Sequence, residues 1–181
     1  MSDGIALGSD QDIQASGLIE RTIGSSGDPL SHIGGSVRYF ATHGTHAAFH
    51  ASLMGDRIKD APAPDQFRLG GEQGLRGYPL NYQNGDNRVV LTLEERYYTD
   101  WYPLRLLRVG GAIFYDVGRA WGGVNQNTVN GGWLNDVGIG LRLILDRASF
   151  AKVLHADVAA PLNRAPGVKS VQFHVKTELT F

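Results

Sequence analysis

The feature that most constrains the fold is a two-residue alternation of apolar and polar side chains, which recurs in segments of about ten residues. Successive side chains of a β-strand point to opposite faces, so each segment predicts a strand with one apolar and one polar face. The pattern predicts an all-β, antiparallel fold of about eight strands in meander order. The predicted strands are residues 12–23, 33–42, 45–54, 88–98, 106–117, 134–145, 150–159 and 171–181.

Composition excludes several classes of protein. The formal net charge of −1 gives no electrostatic reason to expect nucleic acid as a partner. The 181 residues contain no cysteine, so a disulfide framework and a thiolate metal site are both excluded. No apolar run approaches the roughly 18 residues that a membrane-spanning helix needs. Nothing marks a serine nucleophile, and we predict no catalytic residue, no cofactor and no metal site.

Two solvents are compatible with the alternation, because the apolar face of each strand could meet either a protein core or lipid. A strand of about ten residues is long enough to cross a bilayer when it is tilted. Short turns alternate with long loops, and aromatic residues such as Tyr97, Trp101 and Trp133 lie near strand ends, as in outer-membrane barrels. The sequence therefore predicts an antiparallel transmembrane β-barrel over residues 11–181, preceded by an N-terminal tail, residues 1–10.

The longest interval without a strand pattern is residues 55–87, which we predict to be a long loop. Its glycines cluster around one arginine, Arg76, in a composition that lets the backbone turn sharply and pack closely against its neighbours. These glycines are Gly70, Gly71, Gly74 and Gly77. A phosphate-binding loop is disfavoured, because no Lys-Ser or Lys-Thr pair and no helix pattern follows.

Four stretches, in this order along the chain, carry a family resemblance. They are LGGEQGLRGY at 69–78, LEER at 93–96, IFYDVGRAW at 113–121 and the alternating segment that ends at Phe181. In these stretches the sequence resembles the C-terminal barrel region of the outer-membrane barrel-assembly and translocation pore superfamily, also called the bacterial surface antigen family. The first is similar to the family's long sixth-loop motif, and the third to its Phe-x-Asp-x-Gly strand. Residues 11–66 match only as generic strands.

The resemblance implies a role for the arginine of the glycine-rich loop. In the family this arginine enters the barrel lumen and contacts inward-facing acidic groups. By alternation Glu94 and Asp116 both point to the lumen, so we expect Arg76 to bind one of these carboxylates and latch the loop. The predicted latch comprises Arg76, Gly77, Tyr78, Glu94, Asp116 and Gly118. The resemblance also implies a C-terminal signal for outer-membrane assembly, formed by Phe173, Val175, Leu179 and Phe181.

The resemblance also implies a location in the bacterial cell outer membrane. We expect a non-enzymatic component that inserts proteins into this membrane or translocates them across it. Its expected partners are outer-membrane lipid, the barrel-assembly machinery, and a client protein or a second copy of the chain. Two alternatives are open: a barrel that anchors a patatin-like lipase whose enzyme domain is absent here, and a soluble β-sandwich binding module. The sequence ahead of Met1 distinguishes the transport or assembly component from the lipase anchor. Expression without detergent tests the β-sandwich.

The predicted strand number departs from the family pattern. Family barrels have about sixteen strands, whereas a closed barrel of about eight has an interior filled by side chains and could not hold the long loop. The chain would then be half of a larger family barrel, one of two copies that complete a barrel, or a small closed barrel with the loop outside. The N-terminus has no secretory signal, which favours a fragment of a longer protein.

Overall fold

Strand alternation accounts for most of the fold in the computed structural model, which describes residues 2–8, 10–23, 27, 29–59, 61–103, 107–123, 131–145, 152–163 and 167–179. The strands are β1 (Ser2–Gly8), β2 (Gln11–Ile23), β3 (Pro29–His43), β4 (Ala47–Ile58), β5 (Phe67–Leu69), β6 (Gln83–Gly85), β7 (Asn87–Tyr98), β8 (Leu107–Trp121), β9 (Leu134–Leu145), β10 (Lys152–Pro161) and β11 (Gln172–Leu179). The described residues contain no α-helix, and the predicted all-β antiparallel class is confirmed.

One sheet holds nine strands in the order β1-β2-β3-β4-β7-β8-β9-β10-β11, and β5 pairs with β6 in a separate hairpin. Eight of the nine correspond to predicted strands. The ninth, β1, is formed by residues predicted as a tail, which pair with β2 from Ser2 opposite Ser16 to Ala6 opposite Asp12. The sequence of β1 has weak alternation, so its backbone pairing with β2, and not a sequence pattern, identifies it as a strand.

The two faces of this sheet differ in what covers them. We call the face that contacts Arg76 the inner face and the opposite one the outer face. Directly paired residues share a face, and the register places charged side chains together on the inner one. These inner-face side chains are buried: Glu94, Asp116, Asp136, Arg142, His155 and Asp157. The outer face exposes apolar side chains: Ile113, Val137, Ile139, Leu141, Val158, Phe173 and Val175.

The exposed fractions of single side chains show how strongly the two faces differ. Phe173 is 77% exposed on the outer face, whereas Asp116 is 1% exposed on the inner face. A soluble β-sandwich would bury its apolar faces between two packed sheets. The described strands instead form one large sheet that exposes its apolar face and has the polar face of β7 to β10 covered by the loop, which argues against the sandwich alternative.

The loop between β4 and β7 is shorter and more ordered than predicted. β4 continues to Ile58 and β7 begins at Asn87, so the connection comprises residues 59–86 instead of 55–87. The extension occurs because Asp56 and Arg88 lie opposite each other across β4 and β7 and form an ion pair on the inner face. The loop contains a 3₁₀ turn, Ala63–Asp65, and the β5–β6 hairpin.

An apolar cluster holds this loop against the inner face. It consists of four loop residues and three strand residues: Leu69, Leu75, Tyr78, Tyr82, Val90, Ala120 and Leu134. Leu69, Leu75 and Leu134 are fully buried. The hairpin is also hydrogen-bonded to the sheet, because the Gln83 side chain accepts from the Ala120 backbone N–H at 3.0 Å. The loop therefore covers the inner face of β7 to β10 as a packed layer.

Candidate functional site: a loop arginine among inner-face carboxylates

The glycines of the loop form a tight double turn that directs Arg76 to the sheet. Gly70, Gly71 and Gly74 have φ values of 117°, 63° and 108°, a left-handed region in which a side chain would be strained. The Gly71 N–H donates to the carbonyl oxygens of Leu75 at 2.8 Å and Tyr78 at 2.9 Å. Arg76 lies between these two acceptors, so the turn fixes its backbone.

The guanidinium of Arg76 contacts three carboxylates from three strands. Its Nε and Nη2 donate to the two oxygens of Asp116 at 2.8 Å and 3.0 Å, a bidentate arrangement. Its Nη1 donates to Glu94 at 2.8 Å and to Asp157 at 3.0 Å. One loop side chain therefore connects β7, β8 and β10.

Two further arginines complete the network from within the sheet. Arg142 on β9 is fully buried; its Nη2 donates to Glu94 at 2.9 Å and its Nη1 to Asp157. Arg96 on β7 donates to Glu94 at 2.6 Å. Three arginines therefore face three carboxylates, and each of these buried charges has a partner of opposite sign.

The environment keeps Arg76 charged. Burial disfavours its charged form, but the hydrogen bonds and negative charges of Asp116 and Glu94 outweigh burial, so the pKa of Arg76 lies above its ordinary value. The guanidinium carbon also lies 3.3 Å from the centre of the Phe114 ring, in a cation–π contact on the strand side. The Arg76 side chain is only 12% exposed, so water screens these interactions weakly.

The other predicted latch residues adjoin the arginine. A methyl group on Gly77 would overlap Cβ of Asp136 and lie 3.1 Å from the Pro161 nitrogen, so only glycine fits there. Tyr78 is fully buried, and its hydroxyl, 3.1 Å from the carbonyl oxygens of both Asn135 and Asn163, donates to them. Burial raises the pKa of Tyr78, which keeps that hydroxyl a donor.

Gly118 serves the packing of the loop. A methyl group there would lie 2.9 Å from the Val89 carbonyl oxygen and 3.5 Å from the side chain of Leu69. The absence of a side chain at this inner-face position lets the Leu69 side chain approach the β7–β8 pair. The structure thus brings all six predicted latch residues to one region, while their role as a latch stays a prediction.

Sequence reasoning missed several members of this site. Asp157 and Arg142 belong to the charge network, and Phe114 stacks on Arg76, but Phe114 was identified only as part of a motif. The available signal was alternation, because charged residues at inward positions of adjacent strands must find partners in a buried lumen. Alternation alone could not specify which inward charges the loop would reach.

The residues of the predicted C-terminal signal lie on the outer face as far as they are described. Phe173 and Val175 are exposed there, whereas the side chain of Leu179 is not described. Phe181 lies outside the described residues. The alternation predicted for this strand is present, and its role as an assembly signal stays a prediction.

A second set of contacts holds the beginning of the loop. Phe67 lies between the ring of His32, at 5.0 Å, and the guanidinium of Arg88, at 5.1 Å. Asp56 connects these two partners, accepting from Arg88 at 2.6 Å and lying 3.3 Å from His32. Arg88 also donates to the Arg68 carbonyl oxygen at 3.1 Å. This stem anchor, comprising His32, Asp56, Phe67 and Arg88, is separate from the Arg76 contacts.

The described part of the chain lacks two features: a metal-binding cluster and a membrane-spanning helix. It contains no group of three or more His, Asp or Glu residues arranged to hold a metal ion. It also contains no helix with the length and apolar character to span a membrane.

A long-stranded antiparallel sheet that exposes its apolar face and carries its charged side chains on the opposite face is typical of outer-membrane β-barrel proteins. The family model of the Omp85 superfamily domain matches residues 30–181. The chain belongs to the Omp85 superfamily. The match begins in β3, so it includes strands that the resemblance covered only generically. No curated protein matches the chain.

Membership confirms the predicted resemblance at the level of the superfamily. The superfamily is associated with the bacterial outer membrane. Its members are transport and assembly proteins and not enzymes, and they work with the lipid membrane and with partner proteins.

Proposed function

We propose that this chain is the barrel region of a protein that inserts other proteins into the bacterial outer membrane or translocates them across it. In this proposal Arg76 latches the loop of residues 59–86 inside the lumen. The observation that carries the proposal is the contact of Arg76 with Asp116, Glu94 and Asp157 at 2.8–3.0 Å.

A latch of this kind suits a lumen from which water is partly excluded. A bidentate arginine–carboxylate contact has a fixed geometry and is stronger than a neutral hydrogen bond. The Phe114 ring beneath the guanidinium and the apolar cluster around Tyr78 limit access of water to the charges. The loop can therefore occupy one position, while its only covalent connections to the sheet are the ends of β4 and β7.

The edges of the sheet bear on how the barrel closes. Among the described residues, β1 pairs only with β2 and β11 only with β10, which leaves two edges. Lipid cannot satisfy the hydrogen bonds of an open edge, so the edges must be paired in a membrane. We propose that further strands complete the barrel, supplied either by a longer protein that contains this chain or by a second copy.

The outer face gives the proposed lipid contact and the proposed partner. The exposed side chains of Ile113, Ile139 and Phe173 would meet acyl chains. We further propose that Phe173, Val175, Leu179 and Phe181 are read by the barrel-assembly machinery when the chain itself is inserted.

The function can be tested with liposomes of outer-membrane lipid that contain the protein carrying this chain. An unfolded outer-membrane barrel protein is added, and its folded fraction is followed by heat-modifiable migration on a gel. We expect faster folding than with empty liposomes, and a several-fold loss of this acceleration for Arg76→Ala. The control is Arg38→Ala, which removes an exposed arginine from the inner face of β3.

Each result has one interpretation. Acceleration that is lost with Arg76→Ala and kept with Arg38→Ala supports the proposal. A wild-type protein that does not accelerate folding, while its own strands are inserted in the bilayer, contradicts insertion and leaves translocation and the barrel anchor of an enzyme as the remaining functions. Equal acceleration by wild type and Arg76→Ala would support the insertion function and show that it does not depend on the latch.

A further inference from the structure

The charge network contains one carboxyl group more than its arginines can neutralise. Arg76, Arg96 and Arg142 are matched by Glu94, Asp116 and Asp157. A fourth inner-face carboxyl, Asp136 on β9, is fully buried beside them. Neither of its oxygens makes a hydrogen bond of normal geometry with a described residue, although the Gly77 backbone and the Asp116 side chain lie beside them. An ionised carboxylate without a partner is the costliest group that a dry interior can hold.

The position of Asp136 makes a like charge its nearest neighbour on the sheet. Asp136 and Asp116 are directly paired across β8 and β9, so their side chains project from the same face. Both oxygens of Asp116 are occupied as acceptors by Arg76. The backbone of Gly77 closes the remaining side of Asp136, because a methyl group there would lie 2.9 Å from its carboxyl carbon.

We infer that Asp136 binds a proton and acts, as a neutral carboxylic acid, as a positioning residue that donates a hydrogen bond to Asp116. Two facing carboxyl groups that share one proton remove the repulsion between them. The proton also holds the Asp116 carboxylate in the orientation in which it receives both nitrogens of Arg76. This inference rests on the proposed latch for its consequence, but the bound proton can be observed by itself.

The charged and titratable groups beside Asp136 are Arg76 and Tyr78 from the loop and Asp116 from β8. Glu94 and Asp157 belong to the same network through their contacts with Arg76, and Arg142 through its contacts with these two carboxylates. Loss of the proton would set four carboxylates against three arginines. Arg76 would then be shared between Asp116 and an ionised Asp136, and we expect the loop to loosen as the pH is raised.

Infrared spectroscopy of the membrane-inserted protein in heavy water detects the proton directly. We expect a carbonyl stretching band of a protonated carboxylic acid at neutral pH, absent in Asp136→Asn. The band should persist in Asp100→Asn, which alters a carboxylate whose side chain is 94% exposed. A wild-type spectrum without this band, or a band unchanged in Asp136→Asn, overturns the inference.

A spin label reports the consequence for the loop. The chain has no cysteine, so Glu72→Cys, at an exposed loop position, can carry a single nitroxide. Label mobility should rise with pH in the otherwise unchanged protein and stay low in Asp136→Asn, because asparagine keeps the shape of the neutral acid. The Asp100→Asn variant should follow the unchanged protein. Identical pH profiles with and without Asp136→Asn contradict the positioning role.

The proton and the latch can fail separately. If Arg76→Ala leaves label mobility low while the acid band is present, the latch is wrong and the proton site stands. If Arg76→Ala raises mobility and the band is missing, the latch stands and the proton site is wrong. A pH response that persists unchanged in Asp136→Asn assigns the loosening to another group, such as Tyr78, and contradicts the positioning role of Asp136.

Discussion

The inner faces of β2 and β3 and those of β7 to β9 both carry polar and charged residues, but their surroundings differ. On β2 and β3, inward side chains such as Gln14, Ser16 and Arg38 are exposed. On β7 to β9, inward side chains such as Glu94 and Arg142 are buried. The difference arises from the loop, which packs on the later strands and leaves the earlier ones uncovered. The same alternation thus produces a solvated surface in one region and a dry charge network in the other.

This comparison separates two effects on an inward side chain: the strand pattern sets the face on which it lies, and the loop sets whether water reaches it. A polar inward residue on an uncovered strand keeps its water and needs no partner. Under the loop a charged residue loses its water, and the stability of the folded protein then depends on a partner of opposite charge for that residue. Matched substitutions in the two regions can therefore measure what the loop adds.

The largest expected effect is that of Arg76→Ala compared with Arg38→Ala. Removing one partner of a buried charge network costs about 3–5 kcal/mol in the free energy of unfolding, whereas an exposed substitution costs within about 0.5 kcal/mol. The free energy is measured by urea unfolding in detergent. Loop release is measured with a glutamate-specific protease that cuts after Glu72, because trypsin would lose its site at residue 76. Equal costs, or no change in cleavage after Glu72, would refute the comparison.

An intermediate effect is expected for Gly77→Ala compared with Gly17→Ala. The methyl group at Gly77 would overlap Asp136, whereas nothing lies within 4 Å of one at Gly17 on the outer face of β2. Overpacking costs about 1–3 kcal/mol, and an unhindered glycine-to-alanine change in a strand is neutral or slightly stabilising. Urea unfolding of both variants checks this, and a cost at residue 17 as large as that at residue 77 would contradict it.

The smallest expected effect is that of Phe67→Ala, which removes the ring between His32 and Arg88 in the stem anchor. Loss of one aromatic contact and one cation–π contact costs about 1–2 kcal/mol. Proteolysis should increase near the 3₁₀ turn, Ala63–Asp65, while protection around Glu72 is retained. If cleavage rises equally at both places, the two anchors act as one unit.

The sequence predicted the sheet well because strand periodicity is local. Alternation identified eight of the nine strands and the outward position of residues such as Ile139 and Val175. β1 escaped prediction because its pattern is weak and its partner β2 supplies the pairing. The end of β4 was placed too early because Asp56 extends the strand through an ion pair with Arg88, and that contact is visible only across strands.

The candidate site was predictable in part. The family resemblance supplied Arg76, alternation placed Glu94 and Asp116 on the inward face, and the structure brings Arg76 into contact with both carboxylates. Asp157 and Arg142 could not be chosen from sequence, because which inward charges meet depends on the stagger between strands and on the depth to which the loop descends. Alternation placed Asp136 on the inward face, but nothing in the sequence showed that no arginine would pair with it.

The loop of residues 59–86 departs from the sheet and returns to it at the same place. β4 and β7 are paired along their length, and the Ile58 N–H donates to the Asp86 carbonyl oxygen at 2.7 Å across the junction. The loop is therefore an insertion in a hairpin that is complete without it. A change in its length or sequence therefore need not shift the register of the two strands that it joins.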